Sequence, residues 1–168
     1  MRIENPSEEV ILKKLIIVPS SIRMHKEPLE PIPALQRFNG IFIKMIRKYN
    51  KRLRDCDVLI LSPIYGLIDA NRKIGFKEPI RGSWHKLKVN DIDIEKLRET
   101  SLSTLKKKLI KRQYDEIYVN LGRDMLKIIE GFDKIVPQTI RITYSKGRGV
   151  GPKLRHMKDW IELQVQKG

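Results

Sequence analysis

Asp57-Val58-Leu59-Ile60-Leu61-Ser62-Pro63-Ile64-Tyr65-Gly66-Leu67-Ile68-Asp69 is the stretch from which the fold can be read. Its first half is a short apolar run, the mark of a strand buried on both faces. Ser62-Pro63 breaks the run, and Gly66 admits a backbone that other residues resist. A strand ending this way sets a hydroxyl, a phenol and a bare backbone at its carboxyl end. In open α/β sheets that edge is where ligands bind. A plain turn into the next element is the alternative, since most strand-end loops do no more than reverse the chain.

Elements of the same kind lie on either side. Leu15-Ile16-Ile17-Val18 reads as a buried strand closed by Pro19-Ser20-Ser21, and a loop with Pro28, Pro31 and Pro33 follows. Leu35, Phe38, Ile41, Phe42, Met45, Ile46 and Tyr49 recur at three and four, which predicts one helix with Lys44, Arg47, Lys48 and Lys51 on its other face. Downstream, 69–90 is a long mixed segment, and 91–112 reads as a helix broken near Ser101 that ends in a lysine run suited to its dipole. Glu116 to Leu121 is a third strand. A short helix stopping at Gly131 comes next, then a half-exposed strand over 139–144 and a last helix after Pro152 that buries Leu154, Met157, Ile161 and Val165. No repeat or linker interrupts the order. The expectation is one α/β domain over 1–168, three layers around a mainly parallel sheet.

Composition narrows the partners. The 168 residues carry 35 Lys plus Arg against 20 acids, a net charge of +15. Such a surface attracts polyanions, nucleic acid above all. Heat adaptation also enriches charge, but it raises Lys and Glu together, and here the excess is one-sided. No apolar run approaches the ~20 residues of a membrane helix, so no membrane partner is expected. Met1 to Val10 does not read as a secretory signal. Cys56, the one cysteine, stands between Asp55 and Asp57, which discourage a thiolate. The expected compartment is the cytoplasm. The three histidines show no metal spacing, so neither a metal nor a cofactor is expected.

Three constellations could carry chemistry. The loop after the first strand holds Ser20, Ser21, Arg23, His25 and Lys26, and under the doubly wound rule it lies beside Ser62 and Tyr65. Cations, a histidine, hydroxyls and a phenol around one crevice can hold an anionic ligand and move protons. A solvated basic loop is the plainer reading. The second is Lys146-Gly147-Arg148-Gly149-Val150-Gly151-Pro152-Lys153, with Arg155, where backbone N–H groups and a helix start favour a phosphate. It is neither the dinucleotide fingerprint nor a P-loop, because Lys153 is followed by Leu154. The third, Gly82-Ser83-Trp84-His85-Lys86, offers a tryptophan that could stack a base or simply fill the core.

Leu15 to Phe38 with Leu59 to Asp69 resembles the α/β core of archaeosine synthase, a tRNA-modification family, and is similar to small bacterial and archaeal domains sharing a strand that ends Leu-Ser-x-x-Tyr-Gly-Leu. Gly149 to Trp160 looks like the glycine-to-helix ending of those domains. The resemblance implies a uracil-DNA-glycosylase-like fold and transfer of lysine to the nitrile of a 7-deazaguanine in tRNA. The family's first-strand loop carries Pro-Cys and then Lys-Pro-Tyr; this chain has Pro19-Ser20 and Lys26-Glu27-Pro28. A thiolate nucleophile is therefore excluded at Ser20. No companion tRNA-binding domain of that family is read in these 168 residues, so a partner protein supplying tRNA-binding or catalytic parts is an expectation.

The leading expectation is a tRNA base-modifying enzyme or its stand-alone core. Catalytic roles fall to Ser20, His25, Lys26, Ser62 and Tyr65, and substrate contacts to Pro19, Ser21, Arg23, Gly66 and Asp69. Nucleic acid would lie along Lys44, Lys48, Lys146, Gly147, Arg148, Gly149, Gly151, Lys153 and Arg155, with the base flipped from its stack. A non-catalytic basic RNA- or DNA-binding module and a small-nucleotide hydrolase or glycosidase-like enzyme are the alternatives.

Overall fold

The computed structural model describes residues 12–20, 23–77 and 94–167. Ser21 and the Gly82–Lys86 segment lie outside them. A five-stranded sheet forms the centre, in the order β4-β3-β1-β6-β7. Its strands are β1 (Lys13–Pro19), β3 (Cys56–Ser62), β4 (Gly66–Asp69), β6 (Tyr114–Val119) and β7 (Arg141–Tyr144). A two-residue ribbon pairs β2 (Ile32–Pro33) with β5 (Lys73–Ile74). The helices are α1 (Ala34–Arg37), α2 (Ile41–Tyr49), α3 (Ile94–Lys111), α4 (Arg123–Leu126), α5 (Phe132–Ile135) and α6 (Val150–Lys167).

β1 takes the centre because its apolar run can be buried on both faces. Leu15, Ile16, Ile17 and Val18 are all fully buried. Ile16 and Val18 face a core built with α1, α2 and α6, while Leu15 and Ile17 face one built with α3 and the α4–α5 segment. β3 and β6 flank β1 in parallel, and β7 runs parallel to β6. The expected three-layer α/β domain with a mainly parallel sheet is therefore present. The exception is β4, which folds back antiparallel on β3, pairing Ser62 with Gly66 and Leu59 with Asp69. Residues 66–69 form an edge strand where sequence patterning indicates only a turn.

Three helix readings also differ from the structure. The apolar stripe from Leu35 to Tyr49 belongs to two helices. Phe38 and Gly40 between them are extended, because Met24 pairs with Phe38 and Asn39 N–H donates to Arg23 O. α3, by contrast, is unbroken at Ser101, whose buried hydroxyl accepts the Leu67 N–H of β4. Gly131 does not end the first helix after β6; it adopts φ +90° and opens α5.

Gly66 sits against that contact. Its φ is +71°, and a Cβ there would lie 2.7 Å from Ser101 Oγ. Gly66→Ala combines a left-handed conformation costing ~1–2 kcal/mol with overpacking of similar size. The expected loss is about 3 kcal/mol, read from urea melts; an unchanged midpoint would show that α3 does not pack here.

Glu116 on β6 is 2% exposed and anchors the other flank. It accepts from Thr143 Oγ1 and Trp160 Nε1 and pairs with Arg141 at 3.2 Å and Lys14 at 3.6 Å. Burial opposes its charge, but the bonds from Thr143, Arg141 and Trp160 outweigh it and hold the carboxyl below its ordinary value. A carboxyl lowered on folding stabilises above its unfolded pKa, and that contribution disappears as pH falls through the folded one. The stability gap between wild type and Glu116→Gln should therefore be full at neutral pH and close below about pH 4. A gap that is constant with pH would contradict the pairing.

Candidate nucleic-acid interface

Parallel strands and right-handed crossovers send the carboxyl ends of β1, β3, β6 and β7 to one edge of the sheet. The loops after β1 and β3 are neighbours there, as Pro19 registers with Leu61 and Ser20 N–H donates to Leu61 O at 2.9 Å. The crossover from β1 lies on the α1–α2 face and that from β6 on the opposite face. The topological switch therefore falls between β1 and β6. Asn120, just past β6, sits at that switch almost fully buried, with its amide donating to Met157 Sδ.

The sequence-expected catalytic groups separate by depth. Ser20 and Ser62 are both fully buried. Ser62 Oγ accepts the N–H groups of Ile64 and Tyr65 at 3.0 and 3.3 Å, so it holds the turn. Pro19 is the last, buried residue of β1. Gly66 turns its Cα toward α3, where close packing accounts for it. Asp69 lies at the far end of β4, opposite Leu59, where it pairs with Lys108 of α3 and caps Asn71 N–H. That places it about three residues, or ~10 Å, down the sheet from Ser62, away from the edge.

What remains at the edge is cationic and aromatic. Arg23, His25 and Lys26 are exposed. The half-buried Tyr65 ring is covered by Lys77 Nζ at 4.8 Å and Arg72 Cζ at 5.3 Å. Lys26 Nζ stands 5.9 Å from the Phe76 ring. Phe76 and Lys77 thus join the two loops into one rim, a link that sequence reading missed because both residues belong to the mixed segment after Asp69. The rim rests on Arg37. Its side chain is fully buried and its guanidinium donates to Ile74 O, His25 O and Glu30 O at 3.2, 2.9 and 2.8 Å. No carboxylate pairs with Arg37 among the described residues.

The second basic group divides between two places. Lys146, Gly147, Arg148 and Gly149 form the turn from β7 into α6, at the same sheet edge, and Lys153 Nζ reaches Leu121 O at 3.5 Å. Gly147 takes φ +117°, and a Cβ there would strike the Pro152 ring, so the turn's own packing requires this glycine. Lys44, Lys48, Gly151 and Arg155 lie elsewhere, along a groove of about 700 Å³ between α2 and α6.

Other chemistry-bearing side chains serve packing. Burial, with Asp55 and Asp57, pushes the Cys56 thiol up to about 12, as its flanking acids led one to expect. Tyr118 bonds His156 Nδ1 at 2.7 Å and stacks on Trp160 at 4.6 Å, and burial raises its phenol. No group of metal-ligating side chains assembles among the described residues, and no helix there is long and apolar enough to cross a membrane.

A scan of known protein families finds no match, and a comparison with curated proteins finds none either. Among solved structures, the crystal structure of AF0587, a protein of unknown function, is similar with a TM-score of 0.49 and 12% identity. That alignment covers 90% of this chain and 45% of AF0587, so the chain spans less than half of that protein.

Proposed function

We propose that this chain binds nucleic acid across the carboxyl edge of its sheet. The supporting observation is a set of cations without carboxylate partners at the edge where such sheets bind ligands. Charge is not wholly segregated, since Arg98–Glu130 and Lys127–Asp124 pair on the carboxyl side and Arg52 and Arg54 on the amino side have no carboxylate partner among the described residues. At the amino edge, Asp57 pairs with Lys13 and Arg112, Asp115 with Lys14, and Glu116 with Lys14 and Arg141. At the carboxyl edge, Lys26, Arg72, Lys77, Lys146, Arg148 and Lys153 have no carboxylate in ion-pair range among the described residues. The cations over β1–β3 and those over β7 are separated by up to three strand spacings, about 14 Å. A phosphate backbone crossing the switch point meets both groups, and the Tyr65 and Phe76 rings hold Lys77, Arg72 and Lys26 in place to meet it. The archaeosine-synthase resemblance makes tRNA the polyanion to test first. In anisotropy titrations with tRNA, removing Lys146 and Arg148 should weaken binding, while removing Lys106 and Lys107 of α3, an equal loss of charge, should not. Equal losses would reduce the interface to diffuse attraction.

A transferase step on a base in that tRNA, as the same resemblance implies, is the second reading. The rim shared by Lys26, Phe76, Tyr65 and Lys77 favours it. In it the exposed cations hold anionic groups, and Tyr65 or His25 moves a proton at the flipped base. Tyr65→Phe would then leave tRNA affinity within twofold and abolish the modified nucleoside in cells. An unchanged nucleoside profile would leave the chain a binding module.

A further inference from the structure

We infer that the groove between α2 and α6 docks an acidic amphipathic helix of a partner protein. The helices lie side by side on one face of the sheet and run in the same direction. Ile41 and Gly151 line one part of the groove, and Tyr49 OH donates to Glu162 Oε1 at 2.9 Å beyond the Lys48–Lys158 level. The floor is aliphatic: Ile41, 48% exposed, with Met45 and Leu154. Phosphates gain nothing from such a floor, whereas an amphipathic helix laid in a groove buries its apolar stripe there.

The rim decides the chemistry of the occupant. Lys44 and Lys48 on one side face Arg155 and Lys158 on the other, with Asp159 the one acid lining this groove among the described residues. Lys44 and Lys48 are four residues apart, about 6 Å along the helix, the same repeat as glutamates flanking an apolar stripe. Glu162, the next acid along, is already engaged by Tyr49. A second copy of this chain is a poor occupant, because at +15 it brings like charge to a cationic rim.

The probe is a labelled helical peptide of about 18 residues, ~27 Å long, with leucine at i, i+3, i+4 and i+7 and glutamate on both flanks. Controls are a scrambled peptide of the same composition and a single-stranded RNA of equal charge. The ordered peptide should bind at least tenfold tighter than the scrambled one. Ile41→Glu should weaken it at least tenfold at unchanged melting temperature, and Lys48→Glu with Arg155→Glu should transfer preference to a lysine-flanked peptide. Equal binding of ordered and scrambled peptides would overturn the inference. So would RNA that competes with the peptide and loses affinity with Ile41→Glu, since the groove would then belong to nucleic acid. Failure here leaves the carboxyl-edge reading intact, because Lys146 and Arg148 lie outside the groove.

Discussion

Arg37→Ala is expected to lower the melting temperature by about 10 °C and to abolish nucleic-acid binding together with it. The substitution removes a fully buried guanidinium and leaves the carbonyls of Ile74, His25 and Glu30 without their donor. Bonds to a charged donor contribute ~1.5–3 kcal/mol each, and orphaned buried acceptors cost ~1–3 kcal/mol. Relaxation and water recover part of this, so about 3 kcal/mol is a reasonable net loss. In a chain of this size that corresponds to roughly 6–12 °C. Arg37→Lys keeps the charge but cannot span three acceptors from one planar group, so it should fall between alanine and wild type. The binding loss has a separate cause. Arg37 ties the 23–30 loop to β5, and with them Lys26, Arg72 and Lys77. A variant with wild-type stability would show that the three bonds are dispensable.

The second large effect is electrostatic. Replacing Lys26, Lys77, Lys146 and Arg148 together by alanine should weaken tRNA binding roughly 100-fold at physiological salt, as expected when several counterions are no longer released. The slope of log K against log salt should shrink by about 3, since each neutralised phosphate contributes ~0.7–0.9. The four are exposed, so stability should barely move. A slope unchanged by the fourfold substitution would mean that other cations carry the contact.

How much of this was legible depends on what each residue's role requires. β1, β3 and β6 can be read directly, because strands buried on both faces must be apolar throughout. The stripe of α2 can be read too, but not its separation from α1. Phe38 is apolar whichever side of a break it occupies, and the break is made by Met24 and Arg23, more than a dozen residues upstream. β4 escaped notice because four residues beginning with glycine give no alternation until a partner strand exists. Ser62 looked catalytic from its place at a strand end, yet the same place lets a hydroxyl cap the turn it begins.

The interface was half legible for a similar reason. Sequence shows the surplus of cations but not which of them carboxylates neutralise. Asp57, Asp115 and Glu116 begin strands, so the sheet gathers them at one edge with Lys13, Lys14 and Arg141. The cations at strand carboxyl ends are left exposed at the other. Charge alone groups Lys44, Lys48 and Arg155 with the Arg148 turn, and only the packing of α2 beside α6 assigns them to a separate groove.

Amide hydrogen exchange with and without saturating tRNA tests the central claim most directly. Protection is predicted over residues 23–30, 63–77 and 145–153, with no change over 104–112 at the end of α3. Protection confined to α3, or to the facing sides of α2 and α6, would contradict it.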